Sequence, residues 1–457
     1  MIRSALRWAA VPVTALLVIF NLRRLVFTIT ALTRKDCRIP HSAFRIHHSV
    51  LILVPCRDEA ATLPGLIECL ARLEYPPERM IVTLVDDGSR DETGALIEQA
   101  AASRANWRAI HLGSSRGKAQ ALNEALARVD FGDVIVVYDA DHRPDRDSLK
   151  RLAAAFDDPL VVGASGRTIP LNPIASLPAY YATIESLVHQ MITMRAKDRL
   201  DLAPALLGSN CAYRRSALAE AGGFRPGALL EDSDLTLAFA RLGYRLRFVP
   251  GAISRHRVPE SIDGYFKQHV RWARGFNDVA RNHAVSALTD RRLPLRLRVE
   301  LVLFSLGYLD RLALLVAIGM KAMEWASARA GGRLLGSVLK ISLLMPLAQI
   351  VAVFIGERAS RGMWLRLPAI PFLFSLDVLV ALRAAIDSVL NRPRVWTKTK
   401  RVGNYSAQRH CEHLPSTPLR TSFAKQSPGG QEIASSQTTL LLRNLRLVEL
   451  RQVFRQS

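Results

Sequence analysis

Val134-Ile-Val-Val-Tyr-Asp139-Ala-Asp141-His142 is the stretch that decides the fold. A short apolar run, rich in β-branched residues and stopping abruptly in acids, reads as a buried strand delivering carboxylates to the edge of a parallel sheet. Asp139 and Asp141 are one residue apart, so on an extended backbone both project to the same side. There, two hard oxygen ligands can share a divalent cation that keeps waters and also holds phosphates. The plainer reading of Asp-Ala-Asp is a strand-to-loop cap that only satisfies backbone N–H groups.

The residues before this stretch repeat its logic. Val50 to Val54 is a buried strand that leaves through Pro55-Cys-Arg-Asp58-Glu59, and Leu63 to Arg72 follows at helical spacing. Met80 to Val85 is a second strand and Glu92 to Ala102 the next helix. Ala109 to Leu112 is a third strand, with Ala119 to Val129 as its helix. Strand, acid-bearing loop and helix, repeated, predict an open α/β sheet that binds ligands at the carboxyl ends of its strands. Beyond Asp141, Leu207 to Tyr213 reads as another short strand and Leu235 to Leu242 as a helix opened by Asp232.

Each loop motif has two readings. Asp86-Asp87-Gly88-Ser89 is a turn in which Gly88 supplies a left-handed residue, or a strand end whose carboxylate meets a base or ribose. Gly113 to Lys118 resembles a phosphate loop, but its glycines are too close and Ala119 stands where Ser or Thr is required, so it is not a Walker motif. Lys118 can still reach a diphosphate as a point charge. The acids in Glu231-Asp232-Ser233-Asp234 are caps favoured by the helix dipole, or include a carboxylate held as a general base. Gln268, Arg271 and Trp272 share a helical face that suits a sugar or diphosphate, or a bilayer interface.

The 457 residues, 49% apolar, allow two or three domains with a full core. Five scattered cysteines, Cys37, Cys56, Cys69, Cys211 and Cys411, argue against a disulfide framework or zinc spacing and for a reduced compartment. The net charge of +22 invites a nucleic-acid reading. The basic residues lie instead beside long apolar runs, as on the cytoplasmic flanks of membrane spans, which excludes nucleic acid as the partner and points to membrane lipids. Trp8 to Phe20 and Leu25 to Leu32 are each too short to cross a bilayer but together can make one span. Leu301 to Met323, Leu334 to Ile355 and Leu367 to Leu390 are long enough, although Asp310, Arg311, Lys340, Asp377 and Arg383 fall within them. Such charges should face the bundle interior, pair, or line a path. From 391 onward, 12 Lys or Arg against 3 Asp or Glu, with abundant Ser, Gln and Thr, reads as largely disordered, with a weak helix at Leu440 to Phe454. Four regions result: an N-terminal membrane segment (1–33), an α/β catalytic domain (45–285), transmembrane helices (295–392) and a basic tail (393–457).

The order of the motifs is more specific than any one of them. An acidic loop, Asp-Asp-Gly-Ser, Gly-Lys-Ala, Asp-Ala-Asp, Glu-Asp and Gln-x-x-Arg-Trp, followed by membrane helices, resembles the processive family-two glycosyltransferases. These include cellulose, chitin, hyaluronan and poly-N-acetylglucosamine synthases. The likeness covers roughly residues 45–400 and implies a GT-A fold, a Rossmann-like nucleotide-sugar-binding sheet joined to a helical transmembrane region. By that resemblance Glu59 and Asp87 hold the uridine, Lys118 lies near the donor, Asp139 supports nucleotide or metal, and Asp141 ligates Mg²⁺ or Mn²⁺. Asp232 is the base, and Glu231, Gln268, Arg271 and Trp272 cradle the diphosphate and the acceptor end of the glycan. Trp396 looks like the juxtamembrane motif after the last span. Asp58 stands where the family usually has Asn, and Leu230 where Thr is frequent.

The implied reaction is a single inverting displacement from UDP-glucose or UDP-N-acetylglucosamine to a growing polysaccharide. The setting is a bacterial-type inner membrane with the catalytic domain in the cytoplasm. The acceptor is a glycan or a lipid-linked sugar, and the sequence leaves room for an accessory subunit. The nearest rival is a non-processive transferase adding one sugar to a lipid carrier; a transport component with a nucleotide-binding domain is the weaker one.

Overall fold

The computed structural model describes residues 2–33, 46–172, 174–326 and 333–392. Trp396, Cys37, Cys411, and the basic tail with its expected helix lie outside the described residues. The chain opens with one long helix, α1 (Ile2–Thr33), so the two N-terminal apolar runs are continuous. There follow β1 (Val50–Cys56), α2 (Leu63–Ala71), β2 (Met80–Asp86), α3 (Thr93–Ala102), β3 (Trp107–His111), α4 (Lys118–Arg128) and β4 (Val134–Val137). The repeated strand–helix units predicted from hydrophobic periodicity are therefore present, with ends shifted by a residue or two. Next come β5 (Arg143–Pro144), α5 (Ser148–Ala153), β6 (Val161–Pro170), α6 (Leu177–Val188) and a π-helical turn at His189–Met194. After these are α7 (Arg195–Arg199), β7 (Cys211–Arg214), α8 (Arg215–Glu220), α9 (Glu231–Arg241) and β8 (Arg245–His256). The remaining elements among the described residues are helices: α10 (Ile262–Thr289), α11 (Leu295–Ser305), α12 (Leu309–Ala326), α13 (Arg333–Gly356), α14 (Arg361–Leu365) and α15 (Ile370–Val389).

Eight strands form one sheet in the order β3-β2-β1-β4-β7-β6-β8-β5. Its first half is parallel, with Ile52 opposite both Val82 and Val136. Because β1, β2 and β4 are covered on both faces they are apolar at nearly every position, and alternate residues feed two cores. Leu51, Leu53 and Val137 pack under α4 and α9, whereas Val50, Ile52 and Val136 pack against α2 and α5. β7 runs antiparallel to both β4 and β6, which makes the whole sheet mixed.

The structure corrects two expectations of secondary structure. The strand expected at Leu207 to Tyr213 starts only at Cys211, because Gly208 and Asn210 take left-handed backbone (φ +73° and +52°) that no strand accommodates. The span expected at Leu301 to Met323 is two helices, α11 and α12, bent by 70° across a short break that contains Gly307.

Among the described residues, Ala10–Thr33, Arg333–Gly356 and Arg361–Val389 are long and apolar enough to cross a membrane. The charges within the apolar runs are paired, as their cost requires. Arg24 bonds Asp310, Arg311 reaches Asp310 at 2.9 Å and Asp377 at 3.8 Å, and Arg383 reaches Asp387 at 3.0 Å. Lys340 is the exception and points outward, exposed. Arg23 forks onto Glu300 with two bonds of 2.7 Å, and the buried Lys197 lies 3.3 Å from the same carboxylate. These pairs and the apolar cluster of Phe27, Ala31, Tyr180, Ile350 and Phe354 join the long helices to the α/β layer.

Candidate active site

The carboxyl end of β4, the backbone at Gly208 and the start of α9 converge on Lys118. As the first residue of α4, Lys118 extends its ammonium to the Gly208 carbonyl at 2.7 Å, Asp139 Oδ1 at 2.9 Å and Glu231 Oε1 at 3.0 Å. Burial alone would lower its pKa, but the two carboxylates outweigh that and hold it well above the usual lysine range. Lys118 thus joins the half of the site carried by β4 to the half carried by α9.

On the β4 side the chain leaves extended backbone at Val137 and turns, with the His142 N–H bonded to the Asp139 carbonyl. Asp139 and Asp141 therefore do not project side by side from a strand, as their spacing suggested; the turn brings them together. It also adds His142, a neighbour that strict alternation would send to the opposite face. Asp139, Asp141 and His142 each offer one ligand atom, and these atoms all lie within 4.8 Å of one another. Asp141 and His142 are buried, whereas Asp139 is partly exposed. His142 Nδ1 lies 3.0 Å from Ser254 Oγ, and its ring stacks on His256 at 5.3 Å. A hydroxyl at Nδ1 orients the ring, as outer partners usually do around metal-binding imidazoles. Two carboxylates and an imidazole fit a divalent cation.

On the α9 side Asp232 Oδ1 accepts the Ser233 N–H at 2.6 Å, so the residue does part of a cap's work. Its other oxygen, Oδ2, faces the backbone of Gly208. Burial first, and the adjacent Glu231 carboxylate second, push its pKa up to about 7, against the pull of Lys118. A carboxylate with that value can take a proton near neutral pH, which a simple cap need not do.

The two residues assigned to the uridine sit at the ends of β1 and β2 with their carboxylates already bonded. Asp87 accepts Ser115 Oγ at 2.8 Å, the Arg116 N–H at 2.7 Å and the Gly117 N–H at 3.0 Å. The loop that resembled a phosphate cradle thus turns its amides on Asp87. Glu59 accepts Thr62 Oγ1 at 2.5 Å across the turn that leads into α2. Asp58 adopts φ +51°, a conformation that Asn and Asp tolerate better than most, so Asp in place of Asn keeps the turn. Asp86 behaves as the plain turn reading had it, accepting the Ser89 N–H at 2.9 Å.

Gln268, Arg271 and Trp272 lie half-buried on one face of α10. One turn further on, a Cβ at Gly275 would come within 2.5 Å of Leu230, the residue before Glu231. That glycine lets α10 sit directly against the start of α9. Asp234 adds a second tie, accepting Arg225 Nε at 3.0 Å and lying 2.9 Å from His283 Nε2 on α10. The sequence reading did not single out His142, Gly208 or Gly275. The signal for His142 was its place after Asp-Ala-Asp. Gly208 was legible, with Asn210, as a residue in its run that a strand disfavours.

This fold and site define a glycosyltransferase of the GT-A type. Residues 47–275 match the model of the family described as "Glycosyltransferase like family 2", and the chain belongs to that family. Among relatives, the probable glycosyltransferase YdaM of Bacillus subtilis is 30% identical over 230 residues, 50% of this chain and 54% of that one. An N-acetylglucosaminyltransferase of Azorhizobium caulinodans is 28% identical over 64% of this chain and 75% of its own. The poly-beta-1,6-N-acetyl-D-glucosamine synthase of Staphylococcus aureus is 26% identical over 54% and 59%. The chain thus spans just over half the length of the first and third of these. In fold it is similar to a mannosyltransferase from Pyrobaculum calidifontis solved with GDP-Man and Mn²⁺, with a TM-score of 0.59 and 20% identity over 84% of this chain and 99% of that one.

Proposed function

We propose that this protein is an inverting, membrane-bound transferase that moves a sugar from UDP-N-acetylglucosamine or UDP-glucose to a growing polysaccharide. The observation that carries this reading is the bridge through Lys118, which sets a cation-binding turn and a carboxylate of pKa about 7 on either side of one ammonium. Asp232 takes the proton from an acceptor hydroxyl as that oxygen attacks the anomeric carbon, so no covalent enzyme intermediate is required. Asp139, Asp141 and His142 are the residues that would hold Mg²⁺ or Mn²⁺, which supplies charge neutralisation for the departing diphosphate. Lys118 adds a positive charge at the same place, and Glu59 and Asp87 border the nucleoside. Gln268, Arg271 and Trp272 receive the acceptor end of the glycan on the face of α10 next to the base. The relatives named as N-acetylglucosaminyltransferase and poly-N-acetylglucosamine synthase favour N-acetylglucosamine as the sugar.

The catalytic domain (45–285) faces the cytoplasm under this reading. With α11 and α12 bent rather than forming one straight span, Arg333–Gly356 and Arg361–Val389 are the two spans between that domain and the basic tail. An even number leaves both on one side.

The test is incorporation of radiolabelled sugar by detergent-purified protein given UDP-glucose or UDP-N-acetylglucosamine with Mg²⁺ or Mn²⁺, the product sized by chromatography. A long glycan that disappears with EDTA and in Asp232→Asn is the expected result. Label confined to a small lipid would instead assign a single-sugar transfer to a lipid carrier, and activity surviving Asp232→Asn would remove that residue as base.

A further inference from the structure

The indole proposed to receive the acceptor is held by a buried ionic assembly at the meeting of four helices. Tyr265, His269 and Trp272 fall at i, i+4 and i+7 along one face of α10. The His269 ring lies parallel to Tyr265 at 3.8 Å, and it meets the Trp272 indole at 4.7 Å and 65°. Only 5% of His269 is exposed. Its Nδ1 is 2.8 Å from the Tyr265 carbonyl and its Nε2 is 3.2 Å from Glu185 Oε2. A carbonyl can only accept, so Nδ1 carries a proton and Nε2 is the nitrogen turned to the Glu185 carboxyl. Burial alone would lower its pKa; Glu185 outweighs that and raises it.

The assembly does not end at Glu185. The Tyr265 hydroxyl lies 2.6 Å from Glu185 on α6 and 2.6 Å from Asp377 on α15. Asp377 is 3% exposed; it also accepts the Tyr181 hydroxyl at 3.0 Å and faces Arg311 on α12 at 3.8 Å. Burying this many ionisable groups is costly unless their geometry is satisfied, and no step of the proposed transfer uses them. What they do determine is the rotation of α10 about its axis and the plane of the ring beside Trp272.

We propose that His269, clamped by Glu185 and, through Tyr265, by Asp377, is a positioning residue that sets the Trp272 ring for the acceptor. The acceptor side is thereby anchored to the last apolar helix described as well as to α9. This rests on the reading of Trp272 as an acceptor residue.

The test uses the full-length protein in detergent, with His269→Gln, Asp377→Asn and Asp377→Glu, each also made in a Trp272→Phe background. Three quantities are read: the acceptor KM, the affinity for UDP by calorimetry, and the Trp272 emission taken as the difference between each pair. His269→Gln and Asp377→Asn are expected to raise the acceptor KM about tenfold, as misplacement by a fraction of an ångström does. They should shift the Trp272 emission, leave UDP affinity within about twofold, and be partly rescued in Asp377→Glu. Unchanged emission and KM overturn the proposal, as does a parallel loss of UDP affinity, which marks a general folding role. If Trp272→Phe alone leaves the acceptor KM unchanged, the acceptor reading itself fails, and this is visible before any clamp variant is compared.

Discussion

Gly208 backs directly onto the carboxylate of Asp232: a Cβ built on it would lie 2.7 Å from Oδ2 and 3.4 Å from Lys118 Nζ. Its φ of +73° also penalises any L side chain, by roughly 1 kcal/mol. Gly208→Ala should therefore lose little stability but displace the base. We expect kcat to fall about 100-fold with little change in UDP affinity. Steady-state kinetics beside a thermal melt would check this, and a kcat near that of the parent would show that Oδ2 does not need its present position.

The pH profile should report Asp232. Because the free-enzyme base titrates near 7, kcat/KM should rise through an acid limb with a midpoint of about 7. Glu231→Gln removes a charge that raises this value and should move the limb to lower pH. Lys118→Met removes a charge that lowers it and should move the limb higher, whatever else it does to the rate. Limbs that move in the opposite sense would remove these neighbours as the cause.

The same shift bears on stability. A carboxyl whose folded-state pKa is raised above its unfolded value of about 4 binds its proton more tightly when folded, so stability is lost as pH rises from about 4 to about 7. Asp232→Asn abolishes the charge and should raise the melting temperature at pH 8 more than at pH 5, while transfer is lost. Equal melting at both pH values would argue against a strained carboxylate.

Metal binding is readable apart from turnover. With UDP present, titration of Mn²⁺ followed by electron paramagnetic resonance should show Asp141→Ala binding very weakly. His142→Gln should weaken binding by about tenfold or more if its imidazole is a ligand. Unaltered Mn²⁺ affinity in His142→Gln would leave it as a structural partner of Ser254 and His256.

Glu300 holds two cations, the part-buried Arg23 and the buried Lys197, so Glu300→Ala strands both. Loss of one partner from a buried pair costs about 3–5 kcal/mol, and a comparable loss should appear in thermal unfolding of the detergent-solubilised protein. A loss under about 1 kcal/mol would mean that the pair is solvated in practice.

Much of this was legible in the sequence, and the exceptions have physical causes. Strands such as Val50–Cys56 and Met80–Asp86 announce themselves because strands covered on both faces are continuously apolar, and their terminal acids mark the edge where ligands bind. Local periodicity carries no account of a turn's path. That is why Asp139 and Asp141 were paired for the wrong geometric reason, and why His142 stayed unassigned. It is also why Leu207 and Gly208 were read as strand although tertiary packing against Asp232 decides their backbone. Hydropathy found the apolar length of Leu301 to Met323 but not its bend, since the ion pairs made by Glu300 and Asp310 link residues nearly three hundred positions apart. The assignment of Gln268, Arg271 and Trp272 rested on the ordering of motifs; the tie of α10 to α9 through Gly275 and Asp234 is information that only the fold contains.

The seating of Leu230 against Gly275 divides the site into two mechanical parts. α9 and α10 make one piece, carrying the proton acceptor and the face offered to the glycan; the turn at Asp139 and the loops at Glu59 and Asp87 belong to the other, with Lys118 as the pin between them. A lineage can therefore redraw the loops that choose a nucleotide sugar while the gap across which the hydroxyl is deprotonated stays the same. In such a design donor preference and bond-forming geometry are inherited separately.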